Sequence, residues 1–171
     1  MKFKLIVAVC KGGGIGKNNT LPWKIKEDLT HFSKVTKGCG NNAIIMGRNT
    51  YISLGKVLPD RDNLILTKTI NNETSCGTFF SDIDALIKYC EKKQYNEAWV
   101  IGGESIYKQF IDKNLIESCL ITFIDNDYEC DTFFHPPAGK FLLTKKTSMD
   151  TTQNYNIEIQ EYIINQNMDC P

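Results

Sequence analysis

Buried-looking runs alternate along this chain with stretches of amphipathic spacing. Residues 3–9, Phe3-Lys4-Leu5-Ile6-Val7-Ala8-Val9, are apolar at almost every position, with β-branched residues among them. That predicts a central strand covered on both faces. After a glycine-rich stretch, Ile25, Leu29, Phe32 and Val35 recur at helical spacing and predict a core-facing helix that stops near Lys37-Gly38. Asn42–Met46, Asn63–Thr67, Thr78–Phe80, Ala98–Ile101 and Ser118–Ile124 read as five further strands. Between them lie three helical patterns. A short one holds Tyr51, Ile52 and Leu54; a second, capped by Ser81-Asp82, runs through Cys90; a third carries Ile106, Phe110 and Ile111. Phe141–Thr144 and the alternating Tyr155–Tyr162 predict a closing antiparallel pair, with Tyr128–Phe134 left in a loop. The pattern shows no repeat and no linker, so one domain over residues 1–171 is expected.

Three places break the pattern in ways that bear on chemistry. Asp28 falls inside the apolar stripe of its helix, whereas Glu27 falls outside and is expected to face water. A carboxylate in an apolar wall is costly unless paired or hydrogen-bonded, so Asp28 requires a partner, and a ligand is one candidate. Second, Gly47-Arg48-Asn49-Thr50 and Gly102-Gly103-Glu104-Ser105 each join a buried strand to a helix. On neighbouring parallel strands, two such junctions put two helix N-termini on one sheet edge, where open α/β sheets bind dinucleotides. Third, the stretch from Lys11 to Thr20 holds four glycines and is expected to act as an active-site lid. It is not a P-loop: Gly12 to Gly16-Lys17 is one residue short, and Asn18 stands where Ser or Thr would bind magnesium. Nor does a third glycine complete a dinucleotide fingerprint.

Composition narrows the class. The 171 residues suit one soluble globular domain, with 42% hydrophobic and 23% charged residues. Twenty Lys and Arg balance twenty Asp and Glu, which gives no support for a nucleic-acid or anionic-membrane partner. The seven cysteines are widely spaced, odd in number and without a Cys-x-x-Cys, and the two histidines lie far apart. No metal site is expected, and reduced, mostly buried thiols in the cytoplasm are. The apolar N-terminal run is short and meets glycines and a lysine at once, so a strand is expected there rather than a targeting segment.

Several motifs together resemble dihydrofolate reductase. They are Ile6-Val7-Ala8-Val9, Gly14-Ile15-Gly16, Leu21-Pro22-Trp23, Ile45-Met46-Gly47-Arg48-Asn49-Thr50, Leu58-Pro59-Asp60-Arg61, Val100-Ile101-Gly102-Gly103, Ile106-Tyr107 and Asp131-Thr132-Phe133-Phe134. They follow the family's order and spacings over nearly the whole chain. The resemblance implies an α/β fold with a mainly parallel eight-stranded sheet, an antiparallel C-terminal strand and about four flanking helices. It implies NADPH-dependent reduction of 7,8-dihydrofolate, by hydride transfer to pterin C6 and protonation at N5, in a cytoplasmic monomer that also binds antifolate-type molecules.

Site roles follow from the same resemblance. Asp28, five residues after Trp23 as is usual in bacterial members, matches the catalytic acid that binds the pterin, and Thr122 joins its hydrogen-bond network. Leu21 and Trp23 would bound the water that brings the proton to N5. Ile6, Val7, Ala8, Leu29, Phe32, Leu54, Leu58, Ile101 and Tyr107 would line the substrate pocket, and Arg61 would take the α-carboxylate of the glutamate tail. The cofactor would meet Ala8, Ile15, Gly16, Gly47, Asn49, Thr50, Leu66, Ile101, Gly102, Gly103, Glu104, Ser105, Ile106 and Tyr107. Arg48, Thr67 and Lys68 would hold its 2′-phosphate, and a cis peptide would join Gly102 to Gly103. Glu104 and Asn49 depart from common family choices, and Glu104 would oppose a pyrophosphate unless it points away.

Two other functions use parts of the same pattern. One is a reductase of this fold acting on a pyrimidine-ribityl compound, against which Leu21-Pro22-Trp23, Asp28 and Arg61 argue. The other is a nucleotide- or folate-binding module without activity, against which the intact acid and both glycine junctions argue.

Overall fold

The computed structural model describes residues 1–69 and 76–168. Among these, the chain forms one eight-stranded sheet, one two-stranded ribbon and four α-helices. The strands are β1 (Phe3–Cys10), β2 (Gly14–Gly16), β3 (Ala43–Gly47), β4 (Asp62–Leu66), β5 (Thr78–Phe80), β6 (Ala98–Gly102), β7 (Ile116–Ile124), β8 (Thr132–Phe133), β9 (Phe141–Met149) and β10 (Ile157–Ile164). The helices are α1 (Lys26–Lys37), α2 (Arg48–Leu54), α3 (Ile83–Lys93) and α4 (Glu104–Asp112). The large sheet runs β5-β4-β3-β6-β1-β7-β10-β9. Only β10 opposes the other strands: it pairs antiparallel with β7 on one side and with β9 on the other. The expected α/β class, sheet size and reversed C-terminal strand are all present.

Side-chain alternation along the buried strands sorts the interior into two layers. Ile6, Ile44, Met46, Ile65 and Trp99 project to one face, where Phe32 and Val35 of α1 and Tyr51 and Leu54 of α2 pack on them. Leu5, Val7, Ile45, Leu64 and Val100 project to the other, beneath Leu86 of α3 and Phe110 of α4. A third cluster, at the end of β1, joins Cys10, Trp23 and Ile25 to Ile124 and Ile157.

Three local expectations change. The closing strands are longer or shifted, at Phe141–Met149 and Ile157–Ile164, because the long antiparallel ladder carries polar residues such as Thr144–Ser148 along a solvent-facing edge. The Tyr128–Phe134 segment is not all loop: Thr132 and Phe133 form β8 and pair with Gly14–Gly16. The glycine stretch is correspondingly ordered, with a 3-10 turn at Lys11–Gly13 followed by β2. The cysteines are less buried than expected. Cys10, Cys90 and Cys119 are buried, Cys130 is half-buried, Cys39 and Cys76 are exposed, and Cys170 lies outside the described residues. No helix among the described residues is long and apolar enough to cross a membrane.

Candidate active site

The sheet contains a split. β1 pairs with β7 along its whole length, from Lys4↔Ser118 to Cys10↔Ile124. With β6 it pairs only at Lys4↔Trp99 and Leu5↔Val100. Beyond those two rungs the strands part, and the backbone of Ile6–Val9 on that side is left without a strand partner. The chain also changes winding direction here, since β3 lies to one side of the β1–β6 gap and β7 to the other. In open parallel sheets this switch point is where a ligand enters.

Asp28 lies on the wall beside the split. It sits in the first turn of α1, is 8% exposed, and faces Thr122, which is 2% exposed and stands level with Ala8 on β7. Burial raises the carboxyl pKa above its ordinary value; the nearby Thr122 side chain and His31 pull it back down. His31, one turn along, is pushed below the ordinary histidine range by its own burial, against the pull of Asp28, and its Nε2 is enclosed without a hydrogen-bond partner among the described residues. Glu27 does not simply face water. Its carboxylate accepts from the Thr152 N–H at 2.8 Å and the Thr152 hydroxyl at 2.7 Å, tying α1 to the β9–β10 turn. Those bonds lower its pKa.

From Asp28 the wall runs outward along α1. Ile6, Phe32, Leu54, Leu58 and Ile101 share one apolar cluster; Leu29 is half exposed beside them. At the outer end, Arg61 donates from Nη1 to Thr36 Oγ1 at 2.7 Å and from Nε to the Pro59 carbonyl at 3.0 Å. Both acceptors are neutral, so the guanidinium charge stays available to an anion. Sequence reasoning missed the residues that place it. Thr36 is fully buried, and its hydroxyl donates a hydrogen bond to the Phe32 carbonyl at 2.7 Å. Asn63 clasps the turn, accepting from Leu58 N–H and donating to the Leu58 and Arg61 carbonyls, each at 2.9 Å. The available signals were a threonine inside a helical stripe and an asparagine opening a buried strand.

The second wall is the edge formed by the C-terminal ends of β3, β4 and β6. Gly47 stands level with Leu66, and Met46 with Gly102. Gly102-Gly103 is a cis peptide, as the resemblance implies, and Gly102 has φ +130°, a conformation glycine accepts freely. A Cβ there would meet the Tyr107 hydroxyl at 3.3 Å and Thr50 Oγ1 at 3.6 Å, so the absent side chain leaves the backbone open to close approach. Arg48 and Thr50 are half-buried and Thr67 is buried, while Asn49, Lys68, Glu104 and Ser105 are exposed. Val7, Leu66, Ile106 and Tyr107 project instead into the opposite layer, and of these Tyr107 reaches back, its hydroxyl donating to the Ile6 carbonyl at 2.9 Å.

The glycine-rich stretch expected to act as a lid pairs with β8. Ile15 and Gly16 are held by β8: Asp131 N–H donates to Gly16 O at 3.0 Å, Phe134 N–H to Gly13 O at 2.8 Å, and Asn18 N–H to Asp131 Oδ2 at 2.8 Å. Leu21 is half exposed, and Trp23 is buried against Tyr128, with ring centroids 5.4 Å apart. Among the described residues the Trp23 Nε1–H is buried without an acceptor, a donor left over for something in the site.

The arrangement offers a buried acid, an apolar slot, an outer cation and an opened backbone edge beside two glycine junctions. It suits a flat heteroaromatic ring with an anionic tail next to a nucleotide. Comparison with known proteins agrees. A family model described as dihydrofolate reductase matches residues 2–164. The dihydrofolate reductase of Staphylococcus haemolyticus is 42% identical over 151 residues, spanning 88% of this chain and 85% of the relative. That of Aedes albopictus is 37% identical over 161 residues, 84% of each chain, and that of Mycoplasma genitalium 34% over 164 residues, 94% and 93%. With its split sheet, buried acid and near-complete match, the chain belongs to the dihydrofolate reductase family.

Proposed function

We propose that this protein reduces 7,8-dihydrofolate to 5,6,7,8-tetrahydrofolate with NADPH, as a cytoplasmic monomer whose residues 1–171 act as one domain. The observation that carries this is Asp28 buried opposite Thr122 at the mouth of the β1–β6 split. The residues present suit a nicotinamide dinucleotide: the close-approach backbone at Gly102, the half-buried Arg48 and the exposed Lys68 at the same edge, and the opened main chain of β1 support it. Two cations at that edge favour the 2′-phosphorylated form. When bound, the cofactor supplies the hydride.

The chain's own work is placement and proton control. Asp28 and Thr122 bind the pterin's amino and N3 edge, which fixes the ring against Ile6, Phe32 and Ile101. In a low-dielectric wall, ionised Asp28 favours positive charge on the ring and so assists protonation at N5. Trp23 and Leu21 border the path by which a water would deliver that proton. Arg61 holds the tail carboxylate, and the lid keeps bulk water out. The test is whether reduced nicotinamide is consumed in proportion to added dihydrofolate. Consumption without dihydrofolate dependence, or with a pyrimidine-ribityl substrate only, would overturn the proposal. A single monomeric species in solution is expected and is checked by light scattering.

A further inference from the structure

Away from the pterin wall, two thiols face each other beneath the lid. Cys10 ends β1 and is fully buried; Cys130 lies just before β8 and is half-buried. Their sulfurs are 3.8 Å apart. A disulfide brings sulfurs to about 2.05 Å, so bond formation needs a shift of roughly 2 Å shared between two side chains. Gly14 leaves room for the pair: a Cβ at that position would come within 2.5 Å of Cys130 Sγ and 2.8 Å of Cys10 Sγ. The two sulfurs thus fill the space a side chain would take on the lid. Cys90 and Cys119 differ in being buried, and burial pushes their thiols up to about 12. Burial and the Cys10 thiol raise Cys130 as well, so what sets the Cys10–Cys130 pair apart is its facing sulfurs and the partial exposure of Cys130.

We propose that Cys10 and Cys130 are a reversible disulfide site, oxidised by hydroperoxides, that fastens the root of the glycine lid to the segment entering β8. The more accessible Cys130 attacks the peroxide; its S–O bond forms as the O–O bond breaks, and an alcohol or water leaves. Cys10 then attacks the Cys130 sulfur; the S–S bond forms, the S–O bond breaks, and a second water leaves. Two thiols lose two electrons and two protons, and the hydroperoxide is reduced. A dithiol reverses the step. In the thiol form the lid meets this segment through hydrogen bonds from Asp131, Phe134 and Asn18, which can part. In the disulfide form the contact beside Gly14 cannot part.

The test uses the full chain with Cys39, Cys76 and Cys170 replaced by serine, treated with a small excess of hydrogen peroxide. Expected are a peptide linking Cys10 to Cys130 under non-reducing conditions, two hydrogens lighter than the sum of its parts and split by dithiothreitol, and slower tryptic cleavage after Lys11 and Lys17. Turnover should fall about threefold and recover with dithiothreitol. Cys130→Ser should keep the reduced-state turnover and lose every response to peroxide. A stable sulfenic or sulfinic acid at Cys130 without the link, or a link that leaves lid cleavage unchanged, overturns the proposal. The lid's effect on turnover rests on the proposed reductase activity, but the linked peptide and the cleavage rate do not. Linkage in a protein inactive in both states would therefore fault the activity alone.

Discussion

Asp28 and Arg61 stand at opposite ends of one apolar wall and are held in opposite ways. Asp28 is sealed against Thr122, while Arg61 reaches the outer rim on two neutral acceptors, Thr36 Oγ1 and the Pro59 carbonyl. At 1.5 Å per residue, Asp28 and Thr36 are about 12 Å apart along α1. Burial pushes both groups toward their neutral forms, raising the carboxyl pKa and lowering that of the guanidinium. The consequences differ. A guanidinium stays charged at any working pH, whereas a buried carboxyl can lose its charge. On the proposed function the difference teaches a division of labour: the charge that can change sits where water is scarce and where we propose the reaction occurs, and the permanent charge sits where it would only have to hold.

The strongest way to break this contrast is Asp28→Asn. It should keep NADPH binding and lower dihydrofolate-dependent kcat/KM about a hundredfold at neutral pH. Near-equal turnover in the two proteins would remove Asp28 from the chemistry. The parent should also lose activity as pH falls, with the break above the ordinary aspartate value of 3.8, and the variant should lack that break. Arg61→Lys should act differently, raising the KM for dihydrofolate about tenfold with kcat kept, because a point charge replaces a two-pronged donor. A pterin substrate lacking the glutamate tail should not distinguish Lys from Arg at this position. If kcat fell in parallel, the outer cation would share in the chemistry and the division would fail.

Stability sharpens the same contrast. Because burial raises the folded-state pKa of Asp28, the unfolded chain gives up this proton first as pH rises. The stability that Asp28 contributes is present in acid and lost as pH climbs through the folded pKa. Asp28→Asn should therefore melt about 2 °C higher than the parent at neutral pH and lose that advantage in acid, as thermal denaturation at several pH values would show. Glu27, its neighbour, has the opposite sign. The Thr152 bonds depress its pKa, so its contribution is present at neutral pH and lost as pH falls through that depressed value. Glu27→Gln should give the smallest effect of the series, a slight loss in melting temperature at neutral pH that vanishes in acid.

Much of this was legible from spacing, and the rest was not for identifiable reasons. Ile25, Phe32 and Val35 marked the packed face of α1 and so exposed Asp28 as misplaced, although Leu29, expected on the same face, is half exposed. The glycine junctions at Gly47 and Gly102 were legible as two strand-to-helix turns on one sheet edge because a buried run, a glycine and a helical pattern are all local. Partners far apart in the chain stayed hidden. Nothing near Glu27 points to Thr152, and nothing near Gly16 points to Thr132, because neither pairing leaves a periodic trace. Val7 shows the limit of a motif: it sits among the cleft residues in sequence, yet alternation turns its side chain into the opposite layer. The parting of β1 from β6 was invisible too, since a strand reads alike whether one neighbour or two accompany it.

That parting has a hereditary consequence. The bonding groups it lays open between Ile6 and Val9 belong to the main chain. Substitution can widen, narrow or recharge what surrounds them, and so alter which inhibitors fit. It cannot delete the Ile6 carbonyl. A lineage under drug pressure can redraw the walls of this slot, and even remove the Tyr107 hydroxyl that bonds to the Ile6 carbonyl, but it must pass on the main-chain carbonyls themselves.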